Sequence, residues 1–403
     1  MPIEYIPTLS KSLINRMKES LFSIRTYSIR LSTNLYSGCA FDCSYCYAPF
    51  IHKFNKGVTP DEFGSRIFIK ENAKEILEKQ ISQMKQKIRF KYEYVDLGTI
   101  TDCYQPIEAK KQLTRSALEV FSKNEIPVTL LTKSHLVTRD IDLLQPLAEK
   151  GRAAVGFSIT TSSMYEPRYK RFLEPKSPPT KFRLQALKKI RDAGIPTYVF
   201  VNPVVPFMSG CEESIHELFK EIRETGNTNI FFGVMKLNPL TWSLFKKRLG
   251  QFDSNLIKYF QHLYIDEGKK EFNRSSLLPS SNYLNNLYEA ARNFALQEGL
   301  GFSCEGGNYN LWLNDWADCE KGYNYPTGYN LWCVIRNNPS FTTYQDLKLY
   351  LEQQYPVLDT SYFSALESFW QSGELFNDLN DIQMVNSNDE VVYQYRGTSI
   401  NQF

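Results

Sequence analysis

The sequence has no long hydrophobic run. No stretch of its 403 residues approaches the roughly 20 apolar residues of a membrane-spanning helix. Its opening, Met1-Pro-Ile-Glu-Tyr5, lacks the basic and apolar regions of a secretory signal. Histidine is scarce. His52, His135, His216 and His262 are scattered, with no partner at metal-ligand spacing, so each reads as structural or exposed rather than catalytic. An excess of charge of one sign is also missing. A net charge of +3 does not by itself argue for nucleic acid. There is no low-complexity tract. With 42% hydrophobic and 23% charged residues, the chain reads as a soluble globular protein of one large or two moderate domains. Cysteine is not scarce: there are eight. Without secretion signals they fit a reducing cytoplasm, where thiols serve metals or catalysis more often than disulfides.

Three of those cysteines carry the main signal. Cys39, Cys43 and Cys46 lie in Asn34-Leu-Tyr-Ser-Gly-Cys-Ala-Phe-Asp-Cys-Ser-Tyr-Cys-Tyr-Ala48, separated by three and then two residues. A tetrahedral zinc or a four-thiolate cluster wants a fourth ligand close by, and the next cysteine is Cys103. Three thiolates can hold three irons of a [4Fe–4S] cube and leave the fourth open for a cofactor or substrate. A partial zinc site and three buried core cysteines are the alternatives. Tight spacing on a glycine-containing loop argues against both.

From residue 66 to 237 strand-like and helix-like runs alternate. Helical spacing covers Ile69–Ile88, Ala109–Lys123, Asp140–Lys150, Lys181–Ala193 and Glu212–Thr225. Strand-like runs cover Tyr92–Thr99, Val128–Thr132, Ala153–Thr160, Thr197–Asn202 and Ile230–Leu237. With a first strand before Cys39 there are six repeats. This predicts a parallel sheet flanked by helices, with the active site at the strand carboxyl ends. Asp102, Lys133, Ser158, Thr160 and Asn202 fall at those ends. Residues 1–30 read as an N-terminal extension, 31–240 as the barrel, and 241–403 as a mostly helical, irregular C-terminal region. In that region Trp242–Ile265, Ser281–Glu298 and Thr343–Gln354 read as helices, and the last 25 residues as loosely ordered.

The CX3CX2C spacing, with an aromatic residue before the last cysteine, resembles the signature of the radical S-adenosylmethionine enzymes. Further blocks resemble the branch related to spore photoproduct lyase. They are Arg66-Ile-Phe-Ile-Lys-Glu-Asn72, Thr101-Asp-Cys-Tyr-Gln-Pro-Ile-Glu108, Leu131-Thr-Lys133, Phe157-Ser-Ile-Thr160, Leu173-Glu-Pro175 and Ala193-Gly-Ile-Pro196. The resemblance implies an α/β fold with a partial TIM-type (β/α)6 barrel. It also implies a [4Fe–4S] cluster on Cys39, Cys43 and Cys46, and S-adenosylmethionine cleaved reductively to a 5′-deoxyadenosyl radical. An external electron donor of flavodoxin or ferredoxin type would supply the electron. By the same resemblance Tyr45 lies against adenine and Tyr47 can relay a hydrogen atom. Thr101 and Asp102 stand near the methionine amino group, and Lys133 meets its carboxylate. Ser158 and Thr160 face the ribose, and Glu174 and Arg183 pair near the cofactor. Two positions depart from the pattern: Phe41 stands where many relatives have His, and Cys103 where they usually have Pro. Cys103 reads either as a hydrogen-atom donor facing the radical or as a small residue filling space.

Other constellations stay open. Cys304, Cys319 and Cys333 permit a second, auxiliary iron–sulfur cluster, or are three unrelated buried cysteines. Residues 161–194 hold nine Lys or Arg against three acids, a net +6. They bind phosphate or form the solvated face of a helix. Trp312, Trp316 and Trp332 stack on bases or form a subdomain core. The expected enzyme acts on a nucleic-acid base or lesion, with a peptide or small metabolite as the alternative substrate and a non-catalytic iron–sulfur or zinc protein as the alternative class.

Overall fold

Parallel strands buried on both faces need nearly continuous apolar sequence, and the centre of this chain supplies it. The computed structural model describes residues 2–17, 30–84, 95–150, 152–227, 229–270, 277–305, 335, 342–354, 360–372, 382–387 and 390–395. In chain order the elements are β1 (Glu4–Thr8), β2 (Asn15–Met17), β3 (Arg30–Thr33), β4 (Tyr36–Ser37), α1 (Ala48–Lys56), β5 (Arg66–Lys70) and α2 (Ala73–Met84). There follow β6 (Val95–Leu97), α3 (Glu108–Lys111), α4 (Leu113–Lys123), β7 (Val128–Thr132), α5 (Ile141–Ala148), β8 (Ala153–Ser158), α6 (Glu166–Leu173) and α7 (Thr180–Asp192). The next are β9 (Thr197–Val204), α8 (Glu212–Glu224), β10 (Asn229–Val234), α9 (Pro239–Phe252), α10 (Leu256–Gln261), β11 (Lys269–Lys270), β12 (Leu277–Leu278), α11 (Ser281–Gln297) and β13 (Gly301–Glu305).

The main sheet runs β2-β3-β6-β7-β8-β9-β10-β13. Every pairing from β3 to β13 is parallel, and β2 joins antiparallel at the edge. β8, Ala-Ala-Val-Gly-Phe-Ser, is buried throughout. Helices such as α8 bury Ile215, Leu218, Phe219 and Ile222 against the sheet from one side, the spacing an amphipathic helix requires. The chain thus has the partial TIM-type α/β architecture. A small second sheet, β1-β5-β4, stands beside it.

Four elements differ from the sequence reading. The helix expected from Ile69 begins at Ala73, because Arg66-Ile-Phe-Ile-Lys70 alternates with only Ile67 and Ile69 buried and pairs as strand β5. The helix expected over Ala109–Lys123 breaks into α3 and α4 at Gln112, whose φ is 50°. Strand–helix alternation does not stop near residue 240: α11 leads into β13, a seventh parallel strand paired to β10. Gly301 and the polar Ser303 and Glu305 hid that short strand. The last 25 residues were expected to be loosely ordered, yet Ile382–Ser387 and Glu390–Tyr395 form an antiparallel hairpin. Trp370 from helix Thr360–Ser372 donates to Val391 O at 2.7 Å and packs edge-on to Tyr393. Burial of an aromatic pair outweighs the polarity of the surrounding residues.

Among the described residues no helix is long and apolar enough to cross a membrane. His52, behind the cysteine loop, is buried between Phe63 and Phe68, and its Nε2 has no hydrogen-bond partner. Burial, with Lys56 adding to it, pushes its pKa down to about 4. Between that value and the ordinary 6.5 the unfolded chain binds a proton that the folded chain refuses. Stability should therefore fall as pH drops from about 6.5 to about 4. A His52→Phe variant should show a flatter melting-temperature profile across that range.

Candidate active site

The cysteine loop follows β4 and is tied down on every side. Gln105, fully buried, accepts from Ala40 N at 3.0 Å and donates to Gly38 O at 3.1 Å. Cys39 N donates to Phe63 O, and Ser44 N to Leu173 O at the end of α6. The block Thr101–Glu108 works mainly as scaffold for this loop. Tyr104 donates to Asp140, and Glu108 accepts from Tyr36, the residue that leads into the loop. Asn34 ties the same region together. Its side chain donates to Thr99 Oγ1 and accepts from the amides of Ile100 and Thr101. Gly98 turns the chain at the end of β6 with φ 89°, and a Cβ there would lie 2.3 Å from Leu131 O. Only glycine meets both conditions.

These constraints open one cavity of about 360 Å³ at the strand carboxyl ends. Cys39, Cys43 and Cys46 line one part, with Phe41, Tyr45 and Tyr47 beside them. Asp102, Lys133, Ser158 and Asn202 face it from β6, β7, β8 and β9. Lys236, Asn238 and Thr241 close it beyond β10, and Phe200, Val234 and Met235 make it partly apolar. Burial pushes all three thiols up, Cys43 to about 12. Such groups become thiolates when a bound cation compensates for their burial. Among the described residues no three His, Cys, Asp or Glu side chains converge on a point one metal ion would fill. Thiols that each hold a different iron of a cube are spread more widely, so an all-thiol donor set of this kind fits a cluster.

Polar residues divide into two groups. Asp102 lines the cavity but is heavily engaged. It accepts from Thr132 Oγ1 and Lys133 N at 2.7 Å and from Tyr104 N at 2.9 Å. Burial raises its pKa against those bonds. Ser158 is 4% exposed and faces the cavity. Lys133 Nζ stands 5.8 Å from the Tyr45 ring centroid. Desolvation alone would lower Lys133, and Glu174 leads the neighbours that carry it upward.

Thr101, Cys103, Thr160, Glu174 and Arg183 lie outside the cavity lining. Thr101 donates to Tyr36 O at 3.2 Å. Cys103 is buried in the main core, its carbonyl accepting from Thr114 and its thiol beside Gly98. Its side chain thus belongs to the core cluster and not to the cavity lining. Glu174 accepts from Tyr45 and Arg183, from Thr160 Oγ1 at 3.1 Å and from Ser177 Oγ at 3.0 Å. This buried pair stands behind the cavity wall and fixes Tyr45, which does line it. Tyr47 is 41% exposed and donates to Thr99 O. Cys304 lies on β13, but its side chain and the whole of Cys319, Cys333, Trp312, Trp316 and Trp332 lie outside the described residues.

Sequence reasoning missed Lys236, Asn238, Thr241 and Arg248. Only the capping pattern at Asn238-Pro-Leu-Thr241 could have flagged Asn238 and Thr241, which cap α9 reciprocally.

A parallel α/β partial barrel whose strand-end cavity is lined by three cysteines and a lysine points to a class of enzyme. Residues 33–219 match the Radical SAM superfamily. It is 34% identical over 185 residues to the uncharacterized protein MJ0683 of Methanocaldococcus jannaschii, covering 46% of this chain and 64% of that one. It is 27% identical over 265 residues to the uncharacterized protein Rv2578c of Mycobacterium tuberculosis, covering 65% and 74%. In fold it resembles spore photoproduct lyase complexed with dinucleoside spore photoproduct, with a TM-score of 0.55 at 16% identity over 75% of this chain and 82% of that one. A mutant of that lyase with bound AdoMet and the same dinucleoside matches equally, at 0.55, 16%, 75% and 82%.

Proposed function

We propose that Cys39, Cys43 and Cys46 hold a [4Fe–4S] cluster, that S-adenosylmethionine binds beside it, and that the substrate is a nucleic-acid base or lesion. The observation that carries this reading is the single cavity lined by the three cysteines and by Asp102, Lys133, Ser158 and Asn202 from four strand ends. When bound, the cluster supplies the electron that cleaves the sulfonium and yields a 5′-deoxyadenosyl radical able to take hydrogen from a substrate. The protein's residues do the rest. The Lys133 ammonium meets the methionine carboxylate, a charge-assisted contact in a dry site. Ser158 and Asn202 offer hydrogen bonds to the ribose. Tyr45, held by Glu174, presents its ring to the adenine. Phe200, Val234 and Met235 exclude water from the reacting carbon. The region after residue 240 helps close the cavity through Thr241 and selects the substrate.

Nucleic acid is favoured as substrate by the likeness to spore photoproduct lyase, whose structures hold a dinucleoside photoproduct. One observation favours a peptide or small metabolite instead. Five of the nine basic residues in 161–194 are already in ion pairs: Lys170–Glu166, Lys176–Asp42, Arg183–Glu174, Lys188–Asp192 and Arg191–Asp192. Two measurements separate the readings. Protein reconstituted with iron and sulfide without oxygen should convert S-adenosylmethionine to 5′-deoxyadenosine when dithionite is added; no such product would overturn the assignment. Binding to DNA or RNA should weaken steeply with salt, roughly one unit of log–log slope per neutralised phosphate. Binding without salt dependence, or none, would favour the peptide or metabolite.

A further inference from the structure

Arg248 connects helix α9, which follows β10, to the cysteine loop. Helix α9 starts at the cavity, where Asn238 and Thr241 line it. Seven residues beyond Thr241, two turns along and on the same side of the helix, Arg248 reaches the loop. Its Nη2 lies 2.9 Å from Asp42 Oδ1, and its Nη1 lies 3.4 Å from both Asp42 O and Cys43 O. The side chains are shielded, 19% exposed for Arg248 and 26% for Asp42. Asp42 has φ 54°, a left-handed conformation that Asp adopts more readily than most residues with a Cβ but that still carries a cost. Arg248 grips both the side chain and the carbonyl of that residue. The helix is itself anchored. Phe245 packs on Phe172 and Phe260, Phe252 stacks on Phe172 at 4.9 Å, and Leu249 is fully buried.

We propose that Arg248 is a positioning residue for the cluster, clamping the loop that presents Cys39, Cys43 and Cys46 and setting a fixed positive charge beside them. The inference rests on the reading that those cysteines hold an iron–sulfur cluster. Lys176 stands 3.5 Å from the other Asp42 oxygen. The loop therefore meets two cations and one carboxylate, a surplus of one positive charge. An added electron makes a cluster more negative, so this charge favours the reduced form. Groups outside the ligand set commonly tune a metal centre in this way. Arg248 lies outside residues 33–219, so the region after the family segment has a direct hold on the redox centre.

The full chain tests this in two arms. In protein without cluster, hydrogen exchange is followed at the amides of Asp42 and Cys46, which donate to Cys39 O and Cys43 O. Arg248→Met should speed that exchange about tenfold, the scale of one lost hydrogen bond to a charged group. Arg248→Lys should do so less, and Asp42→Asn should loosen the loop without altering α9. In reconstituted protein the cluster is titrated potentiometrically and read by electron paramagnetic resonance. At the wild-type midpoint, Arg248→Met should show a reduced-to-oxidised ratio about tenfold lower, about 59 mV for one electron. Arg248→Lys, which keeps the charge, should restore most of it. Exchange unchanged in both Arg248→Met and Asp42→Asn would overturn the clamp, and an unchanged midpoint would overturn the electrostatic role. A wild-type chain that binds no iron would overturn the cluster assignment instead, and the exchange arm would still report on the clamp.

Discussion

Protein carrying Cys43→Ala should fold, melt close to the wild type, hold little iron and form no 5′-deoxyadenosine. Cys43 is only half-buried at the cavity edge, so loss of one sulfur leaves a small gap worth about 1 kcal/mol. The chemical loss is far larger. Burial holds this thiol near 12, with Lys133 the leading opposing influence. It is therefore a poor thiolate on its own, and its value lies in ligation. With one of three ligands gone, a cube would be held by Cys39 and Cys46 alone. Iron and sulfide content, the visible absorption of the cluster and product formation with dithionite would all fall together. Cys103→Ala supplies the contrast. Its thiol is in the core and outside the cavity, so that variant should lose stability and keep its iron. A Cys43→Ala protein that still made 5′-deoxyadenosine would remove the basis for the proposed cluster.

Glu174→Gln should cost about 3–5 kcal/mol, the range for breaking a buried ion pair from one side. Glu174 is 4% exposed and Arg183 1%. Burial alone would raise the carboxyl; Arg183 and then Lys133 more than reverse this and hold it well below the usual carboxylate range. Glutamine leaves both cations without their counter-charge. It also weakens the hold on Tyr45 and with it one wall of the cofactor cavity. Thermal melting should show the loss at neutral pH, and Glu174→Gln/Arg183→Met should recover part of it. The pH dependence follows from the sign of the shift. A carboxyl depressed in the fold contributes fully above its unfolded value, near 4.3. That contribution is lost as pH falls toward the folded value. Wild-type stability should therefore fall steeply below about pH 4, and the glutamine variant should lose that part of the slope. Binding of S-adenosylmethionine, followed by equilibrium dialysis on the same variant, should weaken about tenfold, the scale of one charge-assisted contact. Unchanged melting and unchanged affinity would show that Glu174 neither balances Lys133 nor holds Tyr45.

Most of the sheet was readable because its signal is local. Val128–Thr132 is apolar over its whole length, and β7 has those limits. Helices such as α8 repeat apolar residues at helical spacing, and their ends fell within a residue or two of expectation. Strand β13 was not readable, since five residues containing Gly301, Ser303 and Glu305 have little pattern of their own. They become a strand because β10 offers an unpaired parallel edge. The break at Gln112 has the same character. Nothing in Glu108–Lys123 marks it, and the α3–α4 corner is where Glu108 accepts from the amides of Thr114 and Arg115.

The site divides along the same line. The cysteine spacing, the aromatic before Cys46 and the lysine at a strand end are local features, so the sequence by itself determined the chemistry this chain is equipped for. Which residues share a cavity depends on contacts between distant segments, and that only the tertiary structure decided. It set Glu174 and Arg183 behind the wall, placed Cys103 in the core, and brought Arg248 across 206 positions to Asp42. The physical reason is that a metal-binding loop is defined by covalent neighbours within one turn of chain. The charge and hydrogen bonds around it come from whatever elements pack against it.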